Sequence, residues 1–293
     1  MNQRVIKHFV FYFKKMMKFY ELKVQGVPQV IFLLLLAASF GLRVLLQPYI
    51  TELFIYQQQV LSSIQTTMSQ GSLADPGAIE ALTGIIFSEE YTQLIGLMFR
   101  ILGFIFIQQI VIMFLSFFYL GSYMVDQETV APTLSQYVKK YLKALPRYIV
   151  FNLLYFLCAG ILFVIIMVVS SFAAMFLPIL SFIIILLPIG WFIIQAMFIF
   201  KDVTFLDTGV GVFRNFILSL KLSSGNRIII GKNIFFIVFL NWIIGIISAN
   251  NSLLVSLFVF SFLEVIVLLI RQRLTALMYL ERTRVEKSDI EGD

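Results

Sequence analysis

A chain of 293 residues that is 60% hydrophobic and 13% charged, with a mean hydropathy of +0.95, carries more apolar surface than a water-facing globule of its size buries. That excludes an ordinary soluble domain and makes lipid the solvent. The net charge of +6 is spread along the chain rather than gathered on a separate soluble domain, which argues against nucleic acid as a partner.

The apolar residues are gathered into stretches of about 20, the length that a helix rising 1.5 Å per residue needs to cross a hydrocarbon core of about 30 Å. The polar-apolar alternation of a membrane-spanning strand is absent. The expectation is an all-α, polytopic membrane protein, a single domain over residues 1–293, with six transmembrane helices and cytoplasmic interfacial amphipathic helices.

Residues 1–26 form a cytoplasmic interfacial segment with six basic groups (Arg4, Lys7, Lys14, Lys15, Lys18, Lys23) against Glu21, and Val5 to Tyr20 reads as a helix rich in Phe, Met and Lys. The first span runs from about Val27 to Leu46. No Ala-x-Ala cleavage site follows it, so it is expected to be retained. Residues 47–93 carry no Lys or Arg against five acids (Glu52, Asp75, Glu80, Glu89, Glu90), which makes this the extracytoplasmic segment. Within it, Ile50 to Met68 reads as an outward extension of the first span, ended by Gly71 and the Asp75-Pro76-Gly77 turn.

The second span, Leu94 to Leu120, is followed by a connection carrying Lys139, Lys140, Lys143 and Arg147. There Pro132 opens an interfacial helix in which Leu134, Tyr137, Val138, Tyr141, Leu142 and Leu145 oppose the lysines. The third and fourth spans, Tyr148 to Val169 and Phe172 to Phe200, enclose the lone cysteine, Cys158, and the helix-interrupting Pro178 and Pro188.

A further interfacial helix is expected from Thr208 to Ser223, capped by Asp207 or Thr208, with Val212, Phe213, Phe216, Ile217 and Leu220 on its apolar side and Ser224-Gly225-Asn226 as its stop. The fifth and sixth spans, Ile228 to Ile247 and Leu253 to Ile270, precede a basic cytoplasmic tail over 271–293. Twenty of the 22 basic residues then fall on one side, which puts both termini in the cytoplasm and the protein in the cell membrane.

The stretch SLKLSSGN, Ser219 to Asn226, resembles a pattern in a broad family of bacterial six-helix membrane proteins that includes the membrane domains of glycerophosphodiester phosphodiesterases. In that family a short cytoplasmic helix of the form Ser-x-x-Leu-x-x-Gly-Asn leads into a span, and Ser219, Leu222, Gly225 and Asn226 match it. An alanine usual earlier in the helix aligns with Asn215, a departure. The resemblance implies the six-span fold and no activity, because the soluble phosphodiesterase domain is absent. Local physics accounts for the same residues, since Gly225 suits a left-handed helix stop.

Candidate site residues follow from the cost of polarity in lipid. Glu264 lies about 16 Å into the sixth span, where a carboxylate requires a proton or a partner. With Gln195, Asn241 and Gln108 it forms a candidate intramembrane polar site: a transport pathway, or a helix-helix bond from Glu264 to Asn241, Gln195 or Arg271. Arg43 and Arg100 sit near the outer ends of their spans, within reach of headgroups or of Glu52, Glu89 and Glu90. Lys139, Lys140, Lys143, Arg214 and Lys221 are candidate contacts for a partner or for lipid.

His8 is the single histidine, and neither a zinc motif, a Walker loop nor a Gly-x-Ser-x-Gly elbow occurs. The chain is therefore read as a non-enzyme that needs no cofactor. Two functions remain open: a scaffold or accessory subunit binding membrane partners or lipid, or the membrane-spanning subunit of a transporter. The latter needs a separate nucleotide-hydrolysing chain docked on residues 126–145 or 207–226.

Overall fold

The structure is a computed structural model and describes residues 6–70, 77, 80, 83–85, 87–176, 182–249 and 253–291. It is an all-α membrane protein with six segments long and apolar enough to cross a bilayer. Its principal helices are α1 (Phe9–Met16), α2 (Val27–Gln70), α3 (Glu89–Glu128), α4 (Leu134–Phe176), α5 (Phe182–Met197), α6 (Lys201–Asp207), α7 (Val212–Ser223), α8 (Arg227–Ala249) and α9 (Leu254–Glu291). Lipid offers backbone groups no hydrogen bonds, so each span satisfies its own in a helical ladder.

Two compact units share these helices. The first comprises Met1–Ile31, Leu115–Ile244 and Ile266–Asp293, the second Phe32–Phe114 and Gly245–Val265. Thus α2, α3, α8 and α9 contribute to both, whereas α4 to α7 belong to the first alone.

The core of the first unit is aromatic. Phe117 and Tyr148 stack at 3.6 Å between ring centroids, and Phe151 meets Phe205 edge to face at 5.2 Å and Phe216 at 4.4 Å. Each such pair adds about 0.5–1.5 kcal/mol beyond area burial. These rings seat α6 and α7 on α4. The second unit joins α2 to the start of α9 through edge-to-face pairs, Phe32 with Phe262 at 5.4 Å and Phe40 with Phe258 at 5.5 Å. Fully buried Ser39 and Ser261 lie in the same unit, small residues of the kind that let helices approach closely in lipid.

Several elements are longer than the sequence suggests. The extension of the first span is continuous helix to Gln70; its stop at Gly71 and Asp75-Pro76 lies outside the described residues. The helix expected from Pro132 is no separate interfacial piece: α4 runs from Leu134 through Pro146 into the third span. A proline inside a membrane helix is tolerated where neighbours re-satisfy the freed groups. The supposed apolar face of that stretch divides, with Tyr137 and Ala144 buried in protein and Leu134 and Leu142 facing out. Pro178 lies outside the described residues, and Pro188 falls within continuous α5.

The segment from Arg271, expected as a cytoplasmic tail, is helical. It continues α9 as far as Glu291, with Leu274 and Met278 fully buried.

Around α7 the cap expectation fails, because Gly211 occupies the N-cap with no side-chain bond. Asp207 instead accepts from the Tyr279 hydroxyl at 2.6 Å, and the Thr208 hydroxyl donates to the Thr204 carbonyl at 2.7 Å. The stop is as expected, with Gly225 at φ +81°. The protein-facing side of α7 is the small and polar one: Asn215, Ser219, Leu222 and Ser223 are buried, while Phe213 and Ile217 are 78% and 69% exposed.

Candidate functional site

In the second unit α2 and α9 bring together three polar side chains inside the spans. The Arg43 guanidinium donates to Glu264 Oε2 at 2.9 Å, and the Ser39 hydroxyl donates to the same oxygen at 2.9 Å. Ser39 and Arg43 are four residues apart and so share one face of α2. The mid-span acid thus has a basic partner and a hydroxyl donor on the facing helix.

This partnership differs from the expected ones. Glu264 was expected to bond Asn241, Gln195 or Arg271, and Arg43 to meet Glu52, Glu89 or Glu90. The reason is helix length: α2 is unbroken from Val27, and Arg43 stands on its inward face one turn from the buried Ser39. Gln195 instead accepts from Arg271 at 3.1 Å within the first unit. The Asn241 Oδ1, also of the first unit, is buried without a donor among the described residues. Gln108 is buried in the second unit. Of the four residues of the expected polar site, Gln195 and Asn241 thus belong to the first unit and Glu264 and Gln108 to the second.

At the other candidate positions, Glu89 and Glu90 are exposed in the first turn of α3, where a helix dipole favours acids. Arg100 is exposed and makes no ion pair among the described residues. Arg214 and Lys221 are exposed on α7.

A polar network in the first unit was missed. Asp126 accepts from the Lys23 backbone N–H at 2.8 Å and from the Tyr137 hydroxyl, while the Lys23 ammonium donates to the Asp126 and Thr129 carbonyls. Arg273 lies over the Tyr123 ring at 4.5 Å and donates to the Lys18 and Glu21 carbonyls; Tyr119 donates to the Phe19 carbonyl at 2.6 Å. The turn from α1 to α2 is thereby held from three sides.

The residues ahead of α1 are gripped as well. Asn233 donates to the Lys7 carbonyl at 2.9 Å, Asn226 accepts from the Ile6 N–H at 3.5 Å, and the Lys7 ammonium meets Glu281 at 3.0 Å. Tyr12, which accepts from the Lys7 N–H, has its phenol pushed above the usual range by burial first, with the Glu281 charge adding to the shift. Asn226 of the SLKLSSGN stretch thus both ends α7 and takes hold of the amino-terminal segment. The signal available in the sequence was Asp126, an acid beside a basic connection and three residues from Tyr123.

Lysine 201 forms a second knot. Its ammonium donates to Asn152 Oδ1 at 2.8 Å, pairs with Asp202 at 2.6 Å and lies 5.4 Å from the Tyr155 ring centroid. Asn215 donates to the Lys201 carbonyl at 2.8 Å and accepts from the Thr204 hydroxyl, which fastens α7 to α6.

Beside these knots, the end of α3, the first turns of α4 and the end of α6 enclose a groove of about 460 Å³. It carries Lys139, Lys140, Lys143 and Arg147 against Glu128 and Asp207. Lys140 pairs with Glu128 at 2.6 Å, and Arg147 donates to the carbonyl of Gly209, whose φ of +63° turns the chain beneath it. Lys139 and Lys143 are exposed and make no ion pair among the described residues, so the groove presents net positive charge. Three of the five expected contact residues are gathered here, and Arg214 and Lys221 are not among those lining it. No protein-family model, curated protein or solved structure matches this chain.

Proposed function

We propose that the protein is a non-enzymatic scaffold or accessory subunit of the cell membrane, with both termini in the cytoplasm, that holds an acidic segment of a partner protein in the groove of Lys139 and Lys143. The observation that supports this most is the pair of uncompensated lysines in a polar groove walled by three helices. Such a surface gives orientation and on-rate to a charged partner. The two segments singled out in the sequence for docking, 126–145 and the start of 207–226, both contribute to it.

The transporter reading has less support. Glu264, the residue on which a proton-coupled pathway would turn, is held by Arg43 and Ser39.

The test is a photocrosslinking amino acid at position 139 or 143, activated in native membranes, with the adduct identified by mass spectrometry. One stoichiometric protein partner, lost on K139E/K143E substitution in a chain that still folds, is the expected result. A nucleotide-hydrolysing subunit as that partner would move the assignment to a transporter. Adducts to lipid alone would overturn the docking role.

A further inference from the structure

A second cavity in the first unit has a different chemistry. It measures about 540 Å³ and lies between α5 and α8, with Phe192, Ile193 and Phe235 among its apolar walls. Phe192 and Phe235 meet edge to face at 6.0 Å between centroids. Gly231 also lines it, and a side-chain carbon there would stand 3.9 Å from the Phe192 ring, in ordinary contact. This volume and lining suit a hydrocarbon chain.

At the mouth stand two cations, Arg227 and Lys232. Arg227 is the first residue of α8, and Lys232 follows about 8 Å further along the axis, a depth from which its stem reaches back to the headgroup level. Both are exposed, and neither makes an ion pair among the described residues. An apolar slot beneath two unpaired cations matches one kind of molecule in both halves. An anionic phosphate group satisfies the cations, and the attached acyl chain fills the slot. A zwitterionic headgroup compensates them less, because it carries its own cation, and a helix of another protein would have to bring acids to that depth.

We infer that the α5–α8 slot is a binding site for an anionic phospholipid, with Arg227 and Lys232 on its phosphate and one acyl chain along Phe192, Gly231 and Phe235. This site is distinct from the groove of Lys139 and Lys143 and does not depend on the scaffold reading.

The chain carries its own reporter. Of its two tryptophans, Trp191 adjoins Phe192 on α5, and Trp242 lies further along α8. In a Trp242→Phe protein, reconstituted into phosphatidylcholine nanodiscs, Trp191 fluorescence is titrated with dibrominated phosphatidylglycerol or with dibrominated phosphatidylcholine. The anionic lipid is expected to reach half-maximal quenching at about a fivefold lower mole fraction, given what one interfacial cation contributes. R227Q/K232Q should erase that preference. G231L, which adds bulk to the wall beside Phe192, should lower quenching by the anionic lipid while the cations remain. K14Q, on a different helix, should change neither.

Equal quenching by the two lipids would overturn the proposal. So would a preference that K14Q reduces as much as R227Q/K232Q, which would mark general attraction to a basic surface. Absence of quenching by either lipid would mean that protein, a second copy or a partner, covers the slot, and the proposal would fall.

Discussion

At the scale of single residues, the pair of Arg43 and Glu264 shows why polar groups in lipid must be judged in partnership. Glu264 stands out in the sequence as an acid in an apolar span, and Arg43 as a base near a span's end, but nothing in the order of residues couples positions so far apart. Replacing Glu264 by glutamine leaves a charged guanidinium in the membrane, a loss of about 1–3 kcal/mol once the side chains' partial exposure is allowed for. Thermal unfolding in mild detergent should show the E264Q melting point falling and part of the loss returning in R43Q/E264Q. Additive effects of the two substitutions would mean that the charges are not coupled. Arg273 makes a second prediction. Its removal frees the Lys18 and Glu21 carbonyls, so R273A should be cut by trypsin within residues 14–23 several times faster than the parent chain, with the rest of the protein remaining intact.

At the scale of elements, spans were legible because lipid imposes a length and a composition on each of them. Their junctions were less so. The interfacial helix expected from Pro132 is not separate from the third span, since α4 runs unbroken through Pro146 and local propensity yields in a membrane to the need for continuous backbone pairing. The cap expected of Asp207 is lost to Tyr279, a residue 72 positions away. Helix α7 was located to within a few residues, and its apolar side was recognised, but which side meets protein is a tertiary fact. Asn215 carries the consequence. It stands where the resembling family has alanine, and it bonds both Thr204 and the Lys201 carbonyl. N215A should therefore destabilise the protein by about 1–3 kcal/mol, because buried groups lose their partner. T204V in the same chain should restore part of that loss. Chemical denaturation of the two variants measures the difference; no recovery in the double variant would show that Asn215 acts through packing alone.

At the scale of the whole molecule, sidedness rests on the distribution of Lys and Arg, which is legible in sequence and checked outside it. In a C158S background, a cysteine at position 66 should react with a membrane-impermeant maleimide in intact cells, and one at position 14 only after lysis. The reverse pattern would invert the topology and set the acidic groove partner on the other side. The site itself was less legible than the fold. Lys139, Lys140 and Lys143 were found by charge, whereas the α5–α8 slot is made where two helices meet, which no pattern of polarity reveals. Helix α9 supplies residues to both compact units. A chain truncated after Ala249 should therefore fail to complete either one, and should be degraded throughout rather than leaving a stable fragment, as pulse-chase would measure. The same sharing bears on synthesis. Arg43 enters the bilayer with α2, and the acid that pairs with it follows 221 residues later. Until α9 is made, the nascent chain therefore holds an uncompensated cation that membrane chaperones and proteases are equipped to notice, and the insertion of that helix is the event that removes it from their view.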